Sequence, residues 1–280
     1  MQMTWKKIIR SVLRWNKEDK NAGRDPYIDM ACSTHTGNVR AHNEDNFSFD
    51  GVFMDEEHQS LDRILCMRQP VSRNPAAALF DGMGGESAGE KASYAAARTF
   101  TQLCDEESWD QERLSRVIHR MNEAVCREKL SGRYESMGCT AAVIAFSGGQ
   151  MLCANLGDSP VYLFRDHSLI QLSVHHTNEA LLRERGITGR KPGLTQFLGI
   201  EEEDYIIEPQ ISSTELQAGD LFLLCSDGLT DMCTEEEITE ILSKGEDPAS
   251  MTAELTDAAL RHGGRDNITV ILCRVEPGER

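Results

Sequence analysis

Apolar residues fall along the chain in two rhythms. Short dense runs at 76–80, 141–146, 151–155, 161–164, 221–225 and 268–275 predict β-strands. Segments 86–104 and 109–130 carry the spacing of amphipathic helices, and in the second Leu114, Ile118, Met121 and Val125 recur every three or four positions, which puts them on one face. Two later helices are marked by their ends. Thr234 followed by Glu237 has the form of a capping box, and Gly245 is placed to end that helix. Asp247 and Pro248 suit the N-cap and first turn of a final helix closing near Gly263. Strand clusters on either side of a helix pair predict an α+β domain, with no strict βαβ repeat to imply a parallel sheet.

Residues 1–24 differ from the rest. They carry Lys6, Lys7, Arg10, Arg14, Lys17, Lys20 and Arg24, with Trp5, Ile8, Ile9, Val12 and Trp15 at helical spacing. Two readings stay open: a basic amphipathic helix that docks on an anionic membrane surface or a partner, and a helix packed on the chain's own acidic domain. The expected organisation is an extension over 1–26, one domain over 27–276 and a tail at 277–280.

Composition narrows the function. The formal charge of −17, from 29 basic and 46 acidic residues, argues against a nucleic-acid partner, because phosphate backbones select clustered Lys and Arg. Nine cysteines are scattered without a CxxC pair, which excludes a zinc ribbon and a disulfide framework; they are read as small buried thiols in a reducing compartment. No run reaches the ~20 apolar residues of a membrane span, and Arg10 and Arg14 break the apolar centre a signal peptide needs. A cytoplasmic location is expected.

The chemistry lies where carboxylates meet turns. Asp45 sits in Asn43-Glu44-Asp45-Asn46, Asp81 opens Asp81-Gly82-Met83-Gly84-Gly85 after a strand, Asp227 follows the 221–225 run, and Asp266-Asn267 precedes the last strand. Singly, each is what an ordinary turn produces. Together they can pool at one edge of a sheet, and an oxygen-only set selects Mg²⁺ or Mn²⁺ where zinc would favour His and Cys. His175 and His176 are adjacent and are read as loop residues. A nucleotide loop at 84–91 fails because Glu90 separates Gly89 from Lys91. Gly82, Gly84 and Gly85 instead allow the backbone a close approach that exposes a carbonyl.

Six motifs in order, Arg40-x-x-Asn43-Glu44-Asp45-Asn46, Asp81-Gly82-Met83-Gly84-Gly85, Gly138-Cys139-Thr140, Gly157-Asp158-Ser159, Ser226-Asp227-Gly228 and Gly264-Arg265-Asp266-Asn267, resemble those of PPM-type (type 2C) metal-dependent protein serine/threonine phosphatases, in particular the bacterial branch. The resemblance implies an α+β, four-layer α-β-β-α sandwich with two central antiparallel sheets flanked by helix pairs. It implies two Mn²⁺ or Mg²⁺ ions. Asp81 would bridge them, Gly82 would lend its carbonyl, Asp227 and Asp266 would complete the first site, and Glu44 and Asp45 would hold the second ion largely through waters. Asp158 with Asp227 matches a third, weaker site. Arg40 is the candidate phosphate grip, since a guanidinium offers paired donors; the plainer reading is a surface salt bridge. Expected partners are phosphoproteins, those of a Ser/Thr kinase among them, with the enzyme a monomer.

Departures from the family pattern matter too. Met83 stands where many eukaryotic relatives have a His, and Pro160 replaces an Arg that commonly follows Gly-Asp-Ser, which puts Asp158 and the third site in doubt. The 54–74 stretch reads as an exposed loop, either inert or partner-selecting. In 174–199, the counterpart of the family's mobile flap, Arg183, Arg185, Arg190 and Lys191 read first as a solvated face and alternatively as a means of steering an acidic phosphoprotein. Two rival functions are a catalytically impaired relative that only binds phosphoproteins and a metal-dependent hydrolase of another class. The presence of every first-site ligand weighs against the former, and the negative charge without aromatic interleaving against a nuclease.

Overall fold

The computed structural model describes residues 25–83, 88–105, 107–134, 136–201 and 205–278. The expected helix at 1–24 lies outside them, as do Gly84 and Gly85. In chain order the strands are β1 (Tyr27–His35), β2 (Asn46–Phe49), β3 (Leu65–Pro70), β4 (Ala76–Phe80), β5 (Gly82–Met83), β6 (Gly138–Cys139), β7 (Ala141–Ser147), β8 (Gln150–Leu156), β9 (Val161–Arg165), β10 (Ser168–Gln171), β11 (Gln210–Glu215), β12 (Leu221–Cys225) and β13 (Ile268–Glu276). The helices are α1 (Gly89–Leu103), α2 (Gln111–Gly132), α3 (Glu179–Glu184), α4 (Asp227–Thr230), α5 (Glu235–Ser243) and α6 (Pro248–Arg261).

Two antiparallel sheets form the centre. One is ordered β10-β9-β12-β13-β1-β3, the other β11-β8-β7-β4-β2, and β5 pairs with β6 in a separate short ribbon. The period-two rule explains the layering. In β12, Phe222 and Leu224 face the space between the sheets with Phe47, Leu79, Ile144 and Ile271. Leu221, Leu223 and Cys225 face outward into a second cluster with Ile238, Ile241, Met251 and Leu255 of α5 and α6. On the other side Ala78, Phe80, Val143 and Ala145 meet Ala92, Ala96, Phe100, Leu114, Ile118 and Met121 of α1 and α2. Both faces of each sheet are therefore covered, and the expected four layers result.

The helix ends behave as their side chains dictate. Asp110 caps α2 by accepting from Arg113 N, and Asp247 caps α6 by accepting from Ala249 N and Ser250 N, with Pro248 in the first turn. Trp109, expected inside a helix, lies before that cap, stacked on Phe100 with its indole N–H donated to Asn74 O at 2.9 Å.

Several expectations need correction. The 54–74 stretch is not wholly loop: Leu65–Pro70 pairs with Tyr27–Cys32 of β1 as an edge strand, with half-buried Leu65 and Met67 alternating with exposed Cys66 and Arg68 over too short a run to stand out from the polar residues around it. The polar edge strands β10 and β11 and the mixed strand β1 likewise lack a dense apolar run. Among the cysteines Cys66, on β3, is exposed, Cys104 and Cys126 are half-buried, and six are buried; none forms a disulfide. Among the described residues no helix is long and apolar enough to cross a membrane.

Candidate metal centre

Sheet register builds the site. Asn46 pairs with Phe80 across β2 and β4, so the next step along the same ladder carries Asp45 opposite Asp81. Leu79 pairs with Ala142 across β4 and β7, and the continuing ladder joins Thr140 N to Asp81 O at 2.9 Å. Ala141 pairs with Leu156, which leads β8 into Gly157 and Asp158. In the other sheet Cys225 pairs with Val270, so β12 runs out toward Asp227 where β13 begins just after Asp266. One end of the sandwich thus collects five aspartates from loops that the sequence separates widely.

Their electrostatics report the convergence. Asp81 is held well above the ordinary carboxyl pKa, first by withdrawal from water and then by the charges of Asp45, Asp227, Asp158 and Asp266. Asp45, fully buried, is pushed up to about 7 by burial, against the pull of hydroxyl donors and with the push of Asp227 and Asp266. Burial also raises Asp227, which Lys191 opposes, and Asp158, which Lys191 and His175 oppose. Among the described residues this cluster of five carboxylates has Lys191 and Arg40 against it as cations, fewer positive charges than negative, and its metal-binding atoms are carboxylate oxygens. The set fits hard divalent cations.

Glu44 and Asp45, neighbours in sequence, face different surroundings. Asp45 Oδ2 accepts from Thr269 Oγ1 at 2.7 Å; Thr269 in turn is 2.7 Å from Thr34 Oγ1, which accepts from Asn43 Nδ2 at 2.9 Å. This relay aims Asp45 at Asp81 and Asp227. Glu44, half-buried, is raised by desolvation, lowered by Arg40 and raised by Glu90 and Asp266. It opens onto a cleft of about 720 Å³ lined by His42, Glu44, Glu56, Glu57, His58 and Glu90 among others. The insertion read as inert or partner-selecting therefore supplies one wall, and its His58 Nε2 lies 2.7 Å from Asp45 O.

Arg40, half-exposed, is 2.7 Å from Asp266 Oδ2 and 4.0 Å from Glu44 Oε2, so its guanidinium sits at the rim of the carboxylates. Gly82 is buried in β5, where an added Cβ would come within 2.4 Å of both Glu44 O and Gly89 O. Three backbone segments meet there, which requires the absence of a side chain.

Sequence reasoning left several contributors without a role. Asn267 receives Glu44 N at 2.8 Å on its Oδ1 and donates Nδ2 to Thr36 O and His42 O, each at 2.9 Å, which fixes the loop that carries Arg40 and Glu44. Thr140 Oγ1 accepts Asp81 N at 3.0 Å and contacts Ser159 Oγ at 2.6 Å. A hydroxyl such as Thr269 inside an apolar strand was the available signal. The flap also differs from a simple solvated face. Arg183 pairs with Glu179 on its own helix, but Lys191 Nζ lies 2.5 Å from Asp227 Oδ2 and 3.2 Å from Asp231 Oδ2. A cation on the far side of the chain's sequence motif thus reaches one of the clustered aspartates.

Comparison with known proteins agrees with this geometry. Residues 60–262 match the family model described as protein phosphatase 2C. The chain is 33% identical over 258 residues to the serine/threonine phosphatase stp of Listeria monocytogenes, covering 85% of this chain and 92% of that one. It is 34% identical over 210 residues to the serine/threonine protein phosphatase PstP of Mycobacterium tuberculosis; this takes in 71% of the chain but spans only 40% of that relative's length. The solved catalytic domain of the serine threonine protein phosphatase PstP, in complex with two manganese ions, superposes with a TM-score of 0.69 at 29% identity, covering 89% of this chain and 99% of that one.

Proposed function

Since the chain belongs to the protein phosphatase 2C family, we propose that it hydrolyses phosphoserine and phosphothreonine on proteins by way of a two-cation centre at the clustered aspartates. The observation that carries this reading is the convergence of Asp45, Asp81, Asp158, Asp227 and Asp266 at one end of the two sheets, set there by strand register and close enough that Asp227 and Asp266 both raise Asp45 and Asp81.

Asp81, the Gly82 carbonyl, Asp227 and Asp266 would hold Mn²⁺ or Mg²⁺ directly, while Glu44 and Asp45 would hold waters of hydration. When bound, such ions supply a water acidified to near neutral pH and neutralise charge on the phosphoryl group. The chain's own residues do the rest. The Asn43, Thr34 and Thr269 relay keeps Asp45 pointed inward, and Asn267 keeps Glu44 and the Arg40 loop in register with Asp266. Arg40 offers two phosphate oxygens a planar pair of donors from the rim, held ready by Asp266. Met83 has no transferable proton, so the leaving alcohol must take its proton from water or from another group of the chain.

A third, weaker ion at Asp158 and Asp227 would have to compete with the Lys191 ammonium. The phosphatase domain is assigned to 27–276, with 277–280 a tail, acting as a cytoplasmic monomer on phosphoproteins that include substrates of a Ser/Thr kinase. The acidic cleft beside Glu44 is the surface the polypeptide of a substrate would meet.

A phosphothreonine peptide assay tests the proposal. Turnover should require added Mn²⁺ or Mg²⁺, and Asp81→Asn or Asp227→Asn should reduce it at least ~10³-fold while circular dichroism stays unchanged. Arg40→Ala should chiefly raise KM. Full turnover in excess chelator sinks the mechanism, and binding of phosphopeptide without any turnover favours the impaired-relative reading instead.

A further inference from the structure

A second cluster of ligating groups lies outside the carboxylate centre. Cys233, Glu237 and His262 bring a thiol, a carboxylate oxygen and a ring nitrogen within 4.8 Å of one another. His262 Nδ1 is 3.4 Å from Glu237 Oε2 and 4.0 Å from Cys233 Sγ. Ligands about 2.0–2.3 Å from a tetrahedral ion stand roughly 3.3–3.6 Å apart, so the His262–Glu237 pair is already at that spacing while Cys233 must close toward them, from 4.0 Å in the case of His262.

The supporting backbone is rigid. Cys233 N donates to Leu229 O at 2.8 Å, closing the turn after α4. Thr234 caps α5 through Glu237 N at 3.3 Å, and His262 N donates to Ala258 O at 3.0 Å as the C-cap of α6. The Thr234 to Glu237 pair was read as a capping box, but Glu237 turns its carboxylate toward His262 and Cys233 instead of back to its own cap. Cys233 is buried, Glu237 half-buried and His262 exposed, so the cluster has a dry side and a side open to water. A thiol with one imidazole and one carboxylate is a borderline-soft set, unlike the all-oxygen centre.

We propose that Cys233, Glu237 and His262 form a binding site for a single Zn²⁺-class ion, completed by water, that straps the end of α4 to the end of α6. Binding releases the Cys233 thiol proton, and His262 moves its own proton from Nδ1, where Met232 O accepts it at 2.9 Å, to Nε2. In the absence of an ion, burial and the Glu237 charge push the thiol up to about 11, so the ion's charge is what ionises it. The strap has a consequence for the neighbouring centre. The helix that begins with Asp227 leads directly into Cys233, and His262 closes the helix just ahead of Asp266. An ion here would tether the two segments that deliver those aspartates.

Cobalt is the probe, because a thiolate ligand gives Co²⁺ an intense near-ultraviolet charge-transfer band that carboxylate ligands do not. With the carboxylate centre first saturated with Mn²⁺, titrating the full chain with Co²⁺ should raise this band to one equivalent, and Zn²⁺ should abolish it. Cys233→Ser should lack the band, and His262→Gln should weaken cobalt affinity at least ~tenfold. Both variants should keep the wild-type circular dichroism and Mn²⁺-dependent turnover. Absence of the band in the wild-type chain, or its persistence unchanged in either variant, overturns the site.

Discussion

At the scale of single residues, charge placement decides what the centre can accept. Lys191 brings an ammonium to Asp227 and Asp231, and its charge also opposes the burial-driven rise of Asp158. That is where a third cation would need anionic oxygen. Lys191→Met should therefore strengthen a third Mn²⁺ equivalent by a few-fold to about tenfold, the scale of one partly exposed ion pair. Calorimetric titration should give the third Mn²⁺ a Kd lower by that factor in the variant than in the wild-type chain. An unchanged Kd would remove Lys191 from that role. Pro160, noted for displacing an Arg, accepts Cys225 N at 3.2 Å through its carbonyl, a bond that any residue there could make, so what the replacement removes is a guanidinium and one backbone N–H.

At the scale of elements, the short helix α4 and strand β13 are seated by a contact with no room to spare. A Cβ on Gly228 would lie 1.9 Å from Asn267 O, a backbone atom that cannot rotate away. Gly228→Ala must push α4 from β13 and with it separate Asp227 from Asp266. The expected loss is about 2–3 kcal/mol, the upper part of the range for overpacking. A urea midpoint shift reads it directly; an unchanged midpoint would mean the segment yields freely. The two outer helix pairs fulfil their expected role by different means. Helix α1 covers one sheet with alanines and with Phe100, stacked on Trp109, while α2 adds Leu114, Val117, Ile118, Met121 and Val125; α5 and α6 cover the other with Ile, Leu, Met and Ala.

For the whole molecule, the centre trades stability against charge. Asp45 moves from an ordinary 3.8 to about 7 in the folded chain, and Asp81 moves upward as well. A raised carboxyl pKa means that the folded state holds protons which the unfolded state has released. Stability is thus highest below the unfolded value and declines as pH rises through the folded one. In chelator, calorimetry should show Tm falling between about pH 4 and pH 7. Saturating Mn²⁺ should raise Tm most at the upper end, because cations favour the ionised carboxylates. A Tm that climbs with pH in chelator would contradict the buried cluster.

The sequence by itself determined the inner strands, the paired helices and the identity of the carboxylates, because dense apolar runs and Asp at their ends are local properties. Among the elements it concealed, β1, β3, β10 and β11 are strands with too many polar residues to form a dense apolar run, and β2, β5, β6, α3 and α4 are only two to six residues long; pairing with a neighbour gives the strands their form. Register, too, is a relation between strands, so the sequence could name Asp45 and Asp81 but only the β2 and β4 ladder sets them opposite. The same holds for Asn267 clasping the Glu44 loop, Lys191 reaching Asp227, and Cys233 meeting His262. Those encounters join positions far apart along the chain, and nothing in the local pattern of one partner encodes the location of the other.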